Sequence, residues 1–365
     1  MEVSVMKSTT QQRILDLGMT APSIDNSQPF YFQWDESRLY IFRDAERDRK
    51  RGNTSNCVSM VALGCLVECI AIAASGEHLV AKINFTYNRL EPEANWVIIS
   101  FLTDSTMPDE LLPGLKLRHS DRRRYQGGSP SDPIFRKVLA DADRVKNCTL
   151  HFRMPDDQML IDYLIRCEAF FWADRQMLPE MLSWVRWNRK EVQKTRDGMP
   201  WQSMDVSYPA SRMMKWVASS KRFRQMARSS GIPLKAQQNT MRVNIQSSAA
   251  LGCITVMDTS LESMFQLGRL FLRAWVRLNL AGYGVQVMAN PSVHVFQTIA
   301  GIIPQDYPEE SKQVFVEGKE ILANAFDLQE GEIPAWMFRT GKSSSLPDKM
   351  KTLRLPQENV VRQNH

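Results

Sequence analysis

The longest apolar stretch in the chain, Val58 to Ser75, is the feature that most restricts its fold. It approaches the length needed to span a bilayer, yet Glu68 sits inside it, Ser55-Asn56 reads as a cap before it and Gly76 as a stop after it. A helix that is apolar all round needs neighbours on every side, so the stretch predicts the central buried helix of a globular unit and not a membrane span. At 365 residues the chain is long enough for two ordinary domains or for one large unit built from two similar halves. With 43% hydrophobic and 24% charged residues it belongs to the globular class, not to disordered, collagen-like or membrane chains.

Charge and cysteine usage narrow the partners. The net charge of +6 is thinly spread, and the densest basic run, Arg47 to Arg51, contains Asp48 and follows Glu46. A nucleic-acid groove needs a clustered basic stripe with stacking aromatics, so neither nucleic acid nor a membrane is expected as a partner. The opening MEVSVMKSTT has no apolar core of the signal-peptide kind, which predicts a cytoplasmic protein whose six cysteines are reduced. Cys65 and Cys69 have helical i, i+4 spacing, but no second cysteine or histidine pair lies near enough to complete a metal site, so buried thiols and no metal are expected.

Along the chain, Thr9 and Thr10 signal a first helix over QQRILDLGM, ending in the proline-bearing loop at 21–29. A hairpin follows, FYFQW and RLYIFRD around DES, with Leu39 and Ile41 alternating against Tyr40 and Phe42. After the long apolar helix come the strand candidates LVAKINFTY and WVIISFL. An irregular basic stretch then carries four arginines in the seven residues RHSDRRR, and Asp132-Pro133 opens the next helix. Beyond the strand CTLHFRM, residues 156–230 have helical period and are rich in Trp and Met, which predicts either helix packing or a movable lid. Strands are predicted at MRVNIQ (241–246) and LGCITVMDT, then a helix over 260–281, the Gly-rich GYGVQVMANPS, two more helices and a last strand AWMFRTG. Helices and strands mix in both halves, giving an α+β class, and no fixed-period repeat is visible.

Three segments carry groups suited to an anionic, ring-bearing cofactor. RHSDRRR offers Arg118, Ser120 and Arg122 at alternate positions of an extended loop, where all three aim at one anion. APSIDNSQPF sets Ser23, Asn26 and Gln28 between Pro22 and Pro29. The C-terminal part adds Arg339 and Arg354. Singly, each also reads as ordinary turn or surface chemistry.

In this order the segments resemble the nitroreductase-like flavoproteins, and especially a monomeric, internally doubled branch, the Acg-type proteins and relatives fused to E1-like adenylating domains. The resemblance runs through LDLGMTAPSIDNSQPFYFQWDESRLYIFRD, RHSDRRRY, FLRAWVRLNLAGYGVQVM and MFRTGK. It implies that the PSxxNxQP segment, here Pro22, Ser23, Asn26, Gln28 and Pro29, with Phe30 in place of Trp, contacts flavin mononucleotide (FMN) from one side. It implies that Arg118, His119, Ser120 and Arg122 hold phosphate and ring from the other, with Arg354 as the C-terminal phosphate arginine. Where the family has a Pro-x-Glu-Gly turn whose amide donates to flavin N5, this chain has GYGVQVMAN, so Gly284, Val285 or Gln286 becomes the expected donor.

The N-terminal half, residues 1–112, has the PSxxNxQP loop without an arginine loop before it. The C-terminal half, 113–365, has RHSDRRR, but where its own PSxxNxQP would fall it reads RCEAFFWADRQMLPEM. One complete site per chain follows, shared between two pseudo-symmetric halves that mimic the family homodimer, in a monomer or weak dimer with the 156–230 insertion lid-like. The resemblance implies an FMN-dependent oxidoreductase taking electrons from NAD(P)H or an organic small-molecule substrate. The alternative is a flavin-sequestering protein, and the fused relatives suggest an E1-like adenylating partner. No GxGxxG marks a tightly held nicotinamide, and no catalytic acid or base is assigned beyond the candidates Tyr125, Tyr283 and His294.

Overall fold

After helix α1 (Ser8–Gly18), alternating burial marks the hairpin of β1 (Phe30–Asp35) and β2 (Arg38–Arg43). Phe30, Phe32, Leu39 and Ile41 face the core, while Tyr31 and Phe42 stack 4.9 Å apart on the other face. The computed structural model describes residues 6–48, 51–105 and 107–362; the first five residues and part of the Arg47–Arg51 run lie outside them. The apolar run becomes helix α2 (Cys57–Ser75), buried along almost its whole length including Glu68. Its N-terminal amides are capped by Asn53, whose Oδ1 accepts from Val58 N and Ser59 N, and not by the Ser55-Asn56 pair. Strands β3 (Leu79–Phe85) and β4 (Val97–Thr103) complete an antiparallel sheet of order β1-β2-β4-β3.

The second part begins with α3 (Pro133–Ala142), capped by Asp132 as expected, and β5 (Cys148–Arg153). A helical region follows: α4 (Gln158–Glu168), α5 (Phe170–Ala173), α6 (Met177–Ser183), α7 (Arg189–Thr195), α8 (Tyr208–Ser219), α9 (Lys221–Ser230) and α10 (Ile232–Gln246). Within it, the two-residue strands β6 (Val185–Arg186) and β7 (Met199–Pro200) pair in parallel. The strand expected at 241–246 is the last part of α10: Gly231 in the left-handed region and Pro233 start a helix there, and Met241 and Ile245, four apart, share its inner face. β8 (Ala250–Val256), α11 (Leu261–Leu280), β9 (Tyr283–Val287), α12 (Asn290–Ile299), α13 (Glu309–Ala325) and β10 (Ile333–Lys342) finish the fold. The Gly-rich segment forms β9, paired antiparallel with β10.

The second sheet has the order β5-β8-β10-β9, again antiparallel throughout. Both sheets thus run first-second-fourth-third along the chain, each with its long helix between the second and third strands. No period betrays this in the sequence because α4 to α10 intervene between β5 and β8, where the first sheet has only a tight turn. The helices α2 and α11 cross at glycine: a Cβ on Gly64 would lie 2.0 Å from Phe265 O, and one on Gly268 would lie 2.1 Å from Val61 O. The main core joins the first sheet, both long helices and one face of the second sheet; α4, α12 and α13 cover that sheet's other face. A smaller cluster, Leu178, Leu182, Val185, Met199 and Val217 with Trp172, Trp187 and Trp201 against it, holds the inserted helices together. The Trp-rich insertion therefore has a core of its own. Five of the six thiols are buried, Cys65 and Cys69 among them.

Candidate functional site

The segment 22–28 folds as a corner. Ser23 Oγ accepts from Gln28 N at 2.8 Å, and Asp25, Asn26 and Gln28 all have positive φ (50°, 56° and 52°). Asp and Asn tolerate such angles but Gln does not favour them, so contacts around Gln28 must hold the corner. They do: Asn26 Nδ2 donates to Leu353 O and Gly198 O, and Gln28 Oε1 accepts from Leu355 N. Pro22 and Ser23 border an apolar recess with Phe30, Phe32, Ala62 and Leu66.

The chain's end supplies Arg354. Residues beyond β10 return to the first sheet, where Phe32 N donates to Val360 O and Arg362 N to Phe32 O. This extra rung fixes residues 352–355 beside the corner, and Arg354 Nη1 donates to Asn26 Oδ1 at 2.8 Å. Arg354 Nη2 and Arg118 Nη2 both reach Thr20 O, at 3.0 and 2.9 Å, just past the C-terminus of α1. Arg118 also lies 4.6 Å from the Trp275 ring centroid, and its buried Nε has no partner.

Arg122, four residues on, points the other way along the corner, donating to Ser203 O and Met199 Sδ. Its own carbonyl accepts from Arg339 Nη2, and Arg339 Nε donates to Gln286 Oε1 at 2.6 Å. Arg339 is 1% exposed and stacks 4.1 Å from the Tyr125 ring centroid.

Among the described residues, Arg118, Arg122, Arg339 and Arg354 make no ion pair with a carboxylate. Burial lowers the pKa of all four; for Arg354 burial and then the charge of Arg118 bring it down to about 9. The thiols of Cys69 and Cys65 next to Arg118 do not supply a negative charge, since burial pushes Cys69 up to about 12 and Cys65 well above its ordinary value. Three other arginines behave oppositely. Arg273 sits between Glu68 and Asp109, Arg277 holds Asp141 and Glu110, Arg51 holds Asp174, and all three have raised values. Within the row, Asp25 acts on Arg122, and Asp121 and Asp205 act on Arg339, none of them in an ion pair with the arginine it acts on, whereas no carboxylate acts on Arg118 or Arg354. Uncompensated buried charge costs several kcal/mol, roughly, per ion, so it is the Arg118–Arg354 end of the row that is suited to an added anion.

A segment of the insertion closes over the row. Gly198 N donates to Asn26 O, Gln28 Nε2 to Arg196 O, and Arg196 Nε to Arg354 O. Asp197 pins the segment by accepting from Arg47 at 3.1 Å and Arg186 at 2.6 Å.

No family model and no curated protein matches the chain. Among solved structures it is similar to a nitroreductase with bound FMN from Desulfitobacterium hafniense DCB-2, with 10% identity, 71% of this chain and 100% of that one covered, and a TM-score of 0.35. An FMN-dependent nitroreductase, NfnB, from Mycobacterium smegmatis in complex with NADPH matches at 9% identity over 69% of this chain and 96% of that one, TM-score 0.39. A nitroreductase-like family protein from Bacillus cereus matches at 11% over 70% and 95%, TM-score 0.34. Superpositions this loose transfer neither a fold nor a site.

Of the residues singled out in the sequence, Asn26, Gln28, Arg118 and Arg354 converge directly, with Pro22 and Ser23 shaping the corner. His119 and Ser120 are tied through backbone: His119 N donates to Asn279 Oδ1, His119 O accepts from Trp275 Nε1, and Ser120 bridges Val285. Gly284 and Gln286 lie in a ladder opposite Gly341 and Arg339, and the Gln286 side chain orients Arg339. Arg339, a candidate from the C-terminal part, joins the arrangement, and Thr20 and residues 196–198 belong to it without having been expected there. Arg339 was visible in the sequence, but nothing linear connects it to Arg122. Tyr283 bonds Asp132, and His294 is enclosed by Phe170, Tyr307 and Phe315, held neutral by burial with its pKa at about 4. Neither faces the arginine row.

Proposed function

We propose that the chain binds one FMN along the arginine row and works as an oxidoreductase of nitroreductase-like type, its two sheets being doubled halves that share one site. The observation that carries this reading is the row of four arginines that make no ion pair with a carboxylate among the described residues, Arg118 and Arg354 having no carboxylate acting on them at all. The orphaned Nε of Arg118 and the depressed Arg354 suit a phosphate held at Thr20. Arg122 and Arg339 then stand at the other end, where positive charge favours an anionic reduced ring. Ser23, Asn26 and Gln28 lie between the two ends, with His119, Ser120 and the β9 residues Gly284 and Gln286 forming the opposite wall. Bound there, the flavin would supply hydride and electron transfer; the protein's part is to neutralise phosphate and ring and to keep water out.

Purification with added FMN followed by removal of free flavin tests the reading: a protein-bound flavin absorbance at a ratio near one per chain is expected. A colourless protein, or a ratio near two, defeats it. A second reading, sequestration with little turnover, is favoured by the 196–198 segment, whose bonds occupy Asn26 and Gln28. Anaerobic mixing with NADH or NADPH separates them: rapid bleaching of bound flavin means turnover, and an unresponsive flavin means storage.

A further inference from the structure

From Val206 to Met257 the chain contains eight lysines and arginines and no aspartate or glutamate. Helices α8 and α9 within it form a hairpin whose outer face is both apolar and basic. Met213, Trp216, Phe223 and Met226 are exposed, Trp216 by 57% and Met226 by 59%, and Trp216 stacks on Phe223 with centroids 6.3 Å apart. Met213 and Trp216, like Phe223 and Met226, are three apart and so share a helix face, and Ile232 at the start of α10 extends the patch with 70% exposure.

The inward arginines are engaged: Arg224 bonds the carbonyls of Val217 and Ala218, and Arg228 bonds Asp174 O. The first ties α9 to α8 within the hairpin, and the second braces the hairpin against the rest of the protein. The outward set, Arg212, Lys215, Lys221, Arg222 and Lys235, makes no ion pair among the described residues. Soluble surfaces seldom leave contiguous large apolar side chains ringed by charge of one sign without a partner.

We infer that this face docks onto an anionic lipid bilayer, with α8 and α9 lying flat in the headgroup region. Lysine and arginine would meet lipid phosphates while Trp216, Phe223, Met213, Met226 and Ile232 enter the acyl boundary, the pattern of an interfacial amphipathic helix. A second copy of the chain is disfavoured because pairing this face with itself opposes like charges. Nucleic acid is disfavoured because Met213, Met226 and Ile232 outnumber the single Trp216–Phe223 ring pair, and bases stack on rings and not on aliphatic side chains. The inference departs from the sequence expectation of no membrane partner, and it does not depend on the flavin reading.

Co-sedimentation of the full chain with vesicles of phosphatidylcholine, with and without phosphatidylglycerol, tests it. Binding is expected only to the anionic vesicles and should weaken with salt, and neutralising any one basic residue should weaken it by about fivefold. The variants Lys221→Glu/Arg222→Glu and Trp216→Ser/Phe223→Ser should each bind at least about tenfold more weakly. Quenching of tryptophan fluorescence by brominated lipid in the unaltered protein reads insertion without relying on any variant. Equal binding to neutral and anionic vesicles, undiminished binding by folded variants, or binding of a single-stranded oligonucleotide with none to vesicles would overturn the inference. Flavin content is measured separately and is unaffected by any of these outcomes.

Discussion

Arg118 and Arg354, 236 positions apart in the chain, donate to the same carbonyl oxygen, that of Thr20, at 2.9 and 3.0 Å. Two guanidiniums sharing one neutral acceptor repel each other. What offsets this in part is the C-terminal end of α1, whose last carbonyls carry partial negative charge. The helix end accounts for the position of the pair; it does not neutralise it.

An added anion should therefore stabilise the flavin-free protein. Inorganic phosphate or FMN is expected to raise the thermal midpoint in a saturable way, by roughly 2.7 kcal/mol in free energy at a hundredfold excess over Kd. Arg354→Ala should abolish the phosphate response. A midpoint indifferent to phosphate, sulfate and FMN alike would remove the physical basis of the site.

The closing segment is held by Asp197 between Arg47 and Arg186. Asp197→Ala should loosen it at a cost of roughly 1–3 kcal/mol in stability, while FMN uptake followed by stopped-flow fluorescence becomes faster. Unchanged uptake in a folded variant would mean that the segment does not gate the row.

At the crossing of α2 and α11, Gly64→Ala places a methyl group against the backbone of Phe265, which cannot turn aside as a flexible side chain would. We expect a loss of at least about 2 kcal/mol, seen as a lower urea midpoint with α2 helicity retained below the transition. The reciprocal Gly268→Ala should behave the same way, and a neutral result at either position would refute the close crossing.

Burial raises the Glu168 carboxyl to about 7, although Gln237 donates to it. Between the usual carboxylate range and pH 7 the folded state then binds more protons than the unfolded one, so this group's contribution to stability falls as pH rises through that window. Glu168→Gln removes that slope. Its advantage over the unaltered protein should be small near pH 4.5 and reach roughly 2–3 kcal/mol by pH 8, read by urea denaturation at both. An advantage that does not grow with pH would contradict the assignment.

Much of this architecture was legible because local chemistry dictates it. Alternation in FYFQW and RLYIFRD can only be a half-buried hairpin, Asp132-Pro133 can only begin a helix, and a run as apolar as 58–75 has to be enclosed. Residues 241–246 misread because Val243 and Ile245 alternate as in a strand; the helix started at Gly231 overrides that preference, and only packing of Met241 and Ile245 against the second core reveals which period operates. Nothing in GYGVQV announces a strand, yet its Gly284 is what lets β9 approach Tyr125 and Ser343 closely.

By itself the sequence determined most element types, 241–246 excepted, together with the buried central helix, the acid-free basic stretch and the inventory of arginines, since each depends on neighbouring residues or on composition alone. Which arginines lack an acid was decided only in three dimensions. Arg273 and Arg118 look alike in the chain, but α11 carries Arg273 onto Glu68 and Asp109, while the returning C-terminal segment brings Arg118 no carboxylate and a second arginine instead. Charge compensation is a short-range property of space, and contacts between residues hundreds of positions apart leave no trace in the spacing of either.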